Sequence, residues 1–130
     1  MAIEINYLDD GVGIEIIASG IVSGDEVLAA HKEIYSPDNL ARQRYQIVDR
    51  TCCDYYCLRP EEIKQIADMD KAAARSNPNI RIAIVSPTDL QFGMSRMWQI
   101  YVEDSSLVTK IFHDRQSADA WIQEQMSDKA

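Results

Sequence analysis

Hydrophobic and polar residues alternate at the start of the chain, which is the pattern of a strand with one buried face. Ile3, Ile5 and Tyr7 fall on one face, and an extended, β-branched run resumes over residues 12–17. Between the two runs, residues 9–11 (Asp-Asp-Gly) have the composition of a tight turn. The opening of the chain therefore predicts a β-hairpin.

Four later segments carry apolar residues at the three- and four-residue spacing of an amphipathic helix. Their predicted starts are Ser23, Pro60, Thr88 and Asp114. Ser23 and Glu26 have the spacing of a capping box, and Thr88 and Gln91 repeat it. The first helix is predicted to end near residues 36–37, where a proline follows a serine. The sequence thus predicts four helices.

Short apolar runs over residues 45–49, 81–86 and 107–112 separate these helices. Adjacent apolar residues in the first two runs are typical of strands that are covered on both faces. Residues 50–59, which are polar and aromatic, predict a loop. Strands joined through helices run parallel, so we predict an α/β fold with a mixed, mainly parallel five-stranded sheet and four helices. The predicted order is β-β-α-β-α-β-α-β-α in a single domain over residues 1–130.

Charge and cysteine content limit the partners and the cellular location that we expect for this protein. The formal net charge is -8 and the isoelectric point about 4.6, so nucleic acids and anionic membrane surfaces are repelled and are not expected as partners. The N-terminus lacks the basic and apolar regions of a signal peptide, and no integral membrane segment is expected. Cys52, Cys53 and Cys57 are an odd, clustered set, which favours reduced thiols and a cytoplasmic location.

Three short motifs and the order of elements resemble the STAS fold of bacterial anti-sigma-factor antagonists. The motifs are residues 84–90 (IVSPTDL), 92–98 (FGMSRMW) and 111–114 (IFHD), which look like a group of uncharacterised bacterial STAS-like proteins. In the regulatory members of that fold, a phosphorylated serine or threonine near the start of the helix after the third strand switches binding to a kinase. Asp49 matches the acidic residue that ends that strand, and Thr51 is the nearest hydroxyl apart from two tyrosines.

The richest candidate for a binding surface is the predicted loop over residues 50–59. Its candidate partner-binding residues are Arg50, Thr51, Asp54, Tyr55, Tyr56 and Arg59. Tyrosine and arginine are enriched among the anchors of protein interfaces, although the same rings are equally suited to covering the end of a sheet. The leading hypothesis is a non-enzymatic regulatory or protein-interaction module that binds a protein partner, or itself as a homodimer, through this loop.

A second hypothesis, from a different class, is a carrier or sensor of a small apolar or anionic ligand at the rim of the third helix. The candidate ligand-binding residues are Ser86, Thr88, Arg96 and His113. Amide groups at a helix start and an arginine favour an anion. The ordinary alternative is that Thr88 only caps the helix and Arg96 only pairs with a surface carboxylate such as Glu103.

Three chemical alternatives carry less weight. The cysteines and His113 lack the spacing of a zinc site, and a nucleophilic cysteine has only His113 as a plausible base. The set of Asp9, Asp10, Asp49, Lys110 and either Ser86 or Thr88 loosely mimics the phosphoryl-acceptor set of receiver domains, but a hairpin turn at residues 9–11 breaks the required topology. We therefore expect no enzyme, no metal and no cofactor.

Overall fold

The computed structural model describes residues 2–127, which form one five-stranded sheet flanked by helices. The strands are β1 Ile3–Leu8, β2 Gly13–Ser23, β3 Tyr45–Cys57, β4 Arg81–Val85 and β5 Val108–Phe112. The helices are α1 Gly24–Ile34, α2 Pro37–Arg42, α3 Pro60–Ser76, α4 Asp89–Val102 and α5 Arg115–Ser127. The strand order is β1-β2-β3-β4-β5, with β1 antiparallel to β2 and all later neighbours parallel. The predicted mixed, mainly parallel α/β sheet is confirmed.

The predicted hairpin is also confirmed, and its turn is a single 3₁₀ turn over Asp9–Gly11. Asp9, Asp10 and Gly11 have φ values of 52°, 58° and 91°, the left-handed region that Asp and Gly adopt most readily. The turn precedes β2, so it lies at the opposite edge of the sheet from the carboxyl ends of the parallel strands. Asp9 and Asp10 therefore lie far from Asp49. A receiver-like site would need these carboxylates close together, so none is formed by them.

Helices cover the two faces of the sheet unequally. On one face, buried residues of the strands pack against Val27 of α1, Ile63 of α3 and Trp98 of α4. On the other face, the strands pack against Ala118 and Ile122 of α5. One side of the sheet thus holds a thick layer of three helices, and this layer contains the buried polar groups described below.

The prediction of a loop over residues 50–59 is wrong, because β3 continues to Cys57. Residues 19–23 of β2 pair with residues 52–57 of β3, beyond the point where β4 stops pairing at Asp49. We call this extension, residues 19–23 and 50–57, the ribbon. Two register shifts, each with an extra residue on β3, interrupt the pairing. As a result the inward-facing residues are Arg50, Cys53 and Tyr56, a spacing of three rather than two.

The helix count differs from the prediction by one. The first helix ends at Ile34, close to its predicted end, and Ser36 and Pro37 also start the short helix α2, whose first turn tolerates proline. The capping box at Ser23 and Glu26 is confirmed. Thr88 also caps its helix, but the side chain of Gln91 turns away and donates to the Cys53 carbonyl of the ribbon at 3.1 Å. The predicted capping box of Thr88 and Gln91 is therefore only half formed, and the Gln91 side chain instead links α4 to β3.

None of the helices within residues 2–127 combines the length and the apolar character needed to cross a lipid bilayer.

Candidate functional site

The outer face of the ribbon exposes two large apolar side chains. Ile21 and Tyr55 are register partners across the two strands, and each is 66% exposed. Adjacent cross-strand side chains stand close together, so the pair forms one apolar patch. Neither side chain belongs to the hydrophobic clusters of the described core. Ile21 was not among the predicted site residues, because the predicted strand ended at residue 17.

The six predicted partner-binding residues divide between the two faces of the ribbon and the start of α3. Thr51, Asp54 and Tyr55 are exposed, and the exposed Arg59 precedes α3. Arg50 and Tyr56 instead turn inward toward α4. The outer and inner sets are therefore separate sites.

Thr51 lies within a strand, well before the start of α3 at Pro60. Its hydroxyl donates to Asp49 Oδ1 at 2.5 Å, and its amide donates to the same oxygen at 2.9 Å. The other Asp49 oxygen accepts from Arg115 at 3.1 Å, and Arg115 also bonds Glu15 and Asp119. Burial raises the pKa of Asp49, but the bonds from Thr51 and Arg115 outweigh it and hold the pKa below its usual value. Asp49 thus anchors the rim as an ionised carboxylate.

Arg50 is held on the inner side of the ribbon by neutral partners. Its terminal nitrogens donate to Ser95 Oγ at 2.7 Å and to the Tyr56 hydroxyl at 3.1 Å. The guanidinium carbon also lies 4.0 Å from the centre of the Tyr56 ring. Ser95 shares a further hydrogen bond of 2.7 Å with the buried Ser86, so this chain links the ribbon, α4 and the end of β4.

A second buried polar cluster is centred on Asp70 of α3, which is 1% exposed. Tyr35 donates to Asp70 Oδ1 at 2.6 Å, and the Trp98 indole donates to Oδ2 at 2.7 Å. His31 Nε2 lies 3.3 Å from Oδ1. Gln46 Nε2 extends the cluster by donating to the Tyr35 hydroxyl at 2.9 Å. One carboxylate thus joins α1, α3 and α4 beneath the sheet.

The geometry of His31 is that of an imidazolium. Nε2 faces the Asp70 carboxylate, and Nδ1 lies 2.9 Å from the Val27 carbonyl, which only accepts hydrogen bonds. Burial lowers the pKa of His31, but the charge of Asp70 and the hydrogen bonds to Asp70 and Val27 outweigh it and raise the pKa above 6.5. Burial and the neighbouring Asp70 charge raise the pKa of Tyr35 well above 10, so Tyr35 remains a donor.

This ion pair predicts a specific pH dependence of stability. His31 binds its proton more tightly in the folded chain, so its contribution is complete below about pH 6.5 and is lost as pH rises through the raised folded pKa. The free energy of unfolding should fall over that interval by about 1.4 kcal/mol for each unit of pKa difference. Urea denaturation at a series of pH values measures how the free energy of unfolding changes with pH.

The two histidines of the chain supply the control for this prediction. His31→Gln should remove the fall in stability, whereas His113→Gln, at an exposed position, should leave it in place. Equal pH profiles for wild type and His31→Gln would contradict the assignment of a charged His31.

The four predicted ligand-binding residues do not form one cluster. Ser86 is buried and bonds to Ser95, whereas Thr88, Arg96 and His113 are exposed. Thr88 caps α4, Arg96 bonds Gln99 rather than the expected Glu103, and His113 stacks on Phe92 with ring centres 4.6 Å apart. Among residues 2–127, no hydrogen bond joins any two of the four. Of these four residues, only Ser86 takes part in the buried hydrogen bonds that connect Ser95 and Arg50.

The cysteines are free thiols, and only Cys53 is buried. Burial raises the pKa of the Cys53 thiol, which makes it a poorer nucleophile at neutral pH. Within the described part of the chain, no group of three or more His, Cys, Asp or Glu side chains is placed to hold a metal ion. The set of Cys52, Cys53, Cys57 and His113 is therefore not assembled as a metal site among these residues.

The Asp70 cluster was missed at the level of sequence, although a signal for it exists. Ile63, Ile66, Ala67 and Ala74 mark the apolar stripe of α3, and Asp70 falls on the same stripe. A carboxylate at a core position predicts a buried partner, because burying an unpaired charge is costly. His31 stands in the stripe of α1 in the same way, so the two positions together indicate a buried ion pair.

The hairpin, the parallel crossovers and the strand order define an α/β domain of the STAS-like class. The chain is similar to an uncharacterised protein from Shewanella loihica PV-4, which is described as a member of the DUF3478 family with a SpoIIAA-like fold. The match has a TM-score of 0.54 and 20% sequence identity, and covers 92% of this chain and 91% of the other. SpoIIAA-like and STAS-like denote the same fold, so the predicted fold is confirmed. No protein-family model and no curated protein matches the sequence.

Proposed function

We propose that this chain is a non-enzymatic protein-interaction module of the STAS-like type, and that the outer face of the ribbon is its binding surface. The partner we propose in the first place is a second copy of the chain. The observation that carries the proposal is the exposure of Ile21 and Tyr55, two paired apolar side chains on the outer face of the ribbon.

Chemistry around the patch suits a protein contact. Tyr55 supplies an aromatic anchor with few rotatable bonds, which is the type of residue that dominates binding energy at interfaces. Asp54, at the second register shift and next to Tyr55 in the sequence, is an exposed charge, whereas the exposed Arg59 before α3 pairs with Glu61 and Glu62. Across a two-fold axis, Ile21 and Tyr55 would meet their own counterparts. Arg50 and Tyr56 face inward, which is why the proposed surface omits them.

The absence of enzymatic activity is part of the proposal. His113, weighed earlier as a base, stacks on Phe92, and the raised pKa of Cys53 disfavours a thiolate. Three free thiols also suit a reducing compartment, so we propose that the protein acts in the cytoplasm.

Replacing Ile21 and Tyr55 together with serine is expected to weaken self-association by about 1,000-fold, because two anchor residues that contribute about 2 kcal/mol each sum to about 4 kcal/mol. Both side chains are exposed, so the variant should remain folded, with a free energy of unfolding close to that of wild type. Sedimentation velocity over a concentration series measures the dissociation constant directly.

The control is Leu90→Ser, which removes an exposed leucine from α4 without touching the ribbon. It should leave the dissociation constant unchanged. Self-association would be rejected as a function if the wild-type chain stayed monomeric up to about 1 mM, a concentration that corresponds to only about 4 kcal/mol of binding free energy. A loss of association in Leu90→Ser but not in the ribbon variant would move the interface to α4.

A further inference from the structure

A cavity of about 50 Å³ lies inside the protein, between the sheet and helices α1, α3 and α4. Most of its wall is apolar and includes Ile16, Ala18, Val48, Ile63, Ile66 and Met94. The polar groups in its wall are Arg50, Gln46 and the ion pair of His31 and Asp70. Such a combination of apolar lining and a few convergent polar groups is typical of small-molecule sites.

Arg50 is the polar group that the fold leaves incompletely satisfied. It is 8% exposed, and its Nε, also buried, has no hydrogen-bond partner among the described residues. Its other contacts are the hydroxyls of Ser95 and Tyr56 and the Tyr56 ring, all of them neutral. Within residues 2–127, no carboxylate lies within ion-pairing distance of Arg50, although seven other ion-pair contacts are formed.

The charges around the cavity sum to one unpaired positive charge. Asp70 is matched by the imidazolium of His31, so it does not neutralise Arg50. A buried guanidinium without a counter-ion is unfavourable, since desolvation is not repaid by an opposite charge. A monovalent anion bound in the cavity would supply that charge and an acceptor for Arg50 Nε.

We propose that this cavity binds a short-chain monocarboxylate, with its carboxylate against Arg50 and its hydrocarbon part against the apolar wall. One water needs about 10–15 Å³ of such a cavity, so 50 Å³ accommodates about four water-sized groups. That volume matches acetate and propionate, which have four and five non-hydrogen atoms, and butyrate, which has six, tests the upper limit of size. The apolar wall disfavours phosphate and sulfate, which have no hydrocarbon part to bury.

The ligand would approach through the side of the cavity nearest to solvent. The lining residues that are partly exposed are Ile3, His31, Val48, Tyr56, Leu58 and Met94, whereas Ile63, Ile66 and Asp70 are buried. The proposed site therefore differs from the outer face of the ribbon, where Ile21 and Tyr55 lie. Loss of one binding activity need not affect the other.

Titration of the ¹⁵N-labelled full chain with acetate, propionate and butyrate, followed by NMR, tests the proposal. The amides of the same length serve as neutral controls. Each amide should bind about 10- to 100-fold more weakly than its carboxylate, because a hydrogen bond to a charged group contributes about 1.5–3 kcal/mol. Shifts should centre on residues that line the cavity, including the indole N–H of Trp98 and the backbone amide of Met94.

Arg50→Met should abolish carboxylate binding while keeping the fold, since replacing an unpaired buried charge by an apolar side chain of similar length is often neutral or stabilising. Arg96→Met, at an exposed arginine of α4, is the matched control and should bind as wild type does. Should Arg50→Met fail to fold, the comparison of carboxylates with amides on the wild-type chain still tests whether the cavity binds an anion.

Three results would overturn the proposal. These are no cavity shifts with any carboxylate at about 50 mM, equal affinity for amides and carboxylates, or equal affinity for phosphate and carboxylates. The first two reject an anion site at Arg50, and the third rejects the apolar body as part of recognition.

Discussion

Asp70→Ala is expected to lower the free energy of unfolding by about 3–5 kcal/mol, the usual cost of breaking a buried ion pair by removing one partner. The alanine would leave the Tyr35 hydroxyl and the Trp98 indole without their acceptor. Each buried donor without a partner costs about 1–3 kcal/mol. His31 can shed its proton when Asp70 is absent, so most of the loss comes from these two donors. Urea denaturation measures the difference.

Asp68→Ala is the matched control, because Asp68 is an exposed carboxylate on the same helix. It should change the free energy of unfolding by no more than about 0.5 kcal/mol. Asp70→Asn keeps an acceptor oxygen but not the charge. Its loss of free energy of unfolding should lie between those of Asp70→Ala and Asp68→Ala. If the free energy of unfolding of Asp70→Ala were within about 1 kcal/mol of the wild-type value, Asp70 would not be the organising group of the helical layer.

Gly13→Ala is expected to destabilise the fold by about 2–4 kcal/mol. A Cβ atom at position 13 would overlap the ring of Tyr45, the register partner of Gly13 on β3. Tyr45 is buried, and its hydroxyl donates to Asp9 Oδ2 of the hairpin turn at 2.6 Å, so the ring has little freedom to move. Overpacking costs about 1–3 kcal/mol, and the weakened hydrogen bond adds about 1 kcal/mol.

The control is Gly93→Ala on α4, where a Cβ atom would meet nothing within 4 Å. Alanine there should stabilise the chain by up to about 1 kcal/mol, because glycine is unfavourable inside a helix. A double-mutant cycle with Tyr45→Ala isolates the clash, since Gly13→Ala should cost much less when the ring is absent. An undiminished cost in the cycle would show that the ring is not what Gly13 accommodates.

Elements with regular periodicity were predictable from the sequence, and those that break it were not. The hairpin, the parallel strands and helices α1, α3, α4 and α5 follow from simple alternation, helical spacing and capping residues. The ribbon was hidden because two register shifts place Arg50, Cys53 and Tyr56 inward at a spacing of three. No periodicity of two or 3.6 marks such a segment, so its aromatic and polar residues predicted a loop.

The candidate sites show the same limit. Tyr55 was predicted as a surface anchor from its residue type, but its partner Ile21 depends on the register of the ribbon, which long-range pairing determines. Arg50 was assigned to the same surface, and only the inward turn of the strand places it beside Ser95 and the cavity. Residue type indicated which side chains are suited to binding, and the fold determines which face each of them occupies.

The outer surface and the cavity share β3 as a common wall. Tyr55 faces outward, whereas the next residue, Tyr56, faces Arg50 and lines the cavity. Serine at positions 21 and 55 leaves the cavity lining intact, and methionine at position 50 leaves the outer patch intact. The two proposed binding activities can therefore be tested separately, and each set of variants controls for the other.

Photo-cross-linking from position 55 tests the ribbon as a binding surface most directly. With p-benzoylphenylalanine in place of Tyr55, irradiation should give a covalent dimer whose cross-links map to residues 19–23 or 50–57 of the second copy. The same probe in place of the exposed Leu90 should give none. A dimer formed from position 90 but not from position 55 would contradict the assignment of the ribbon.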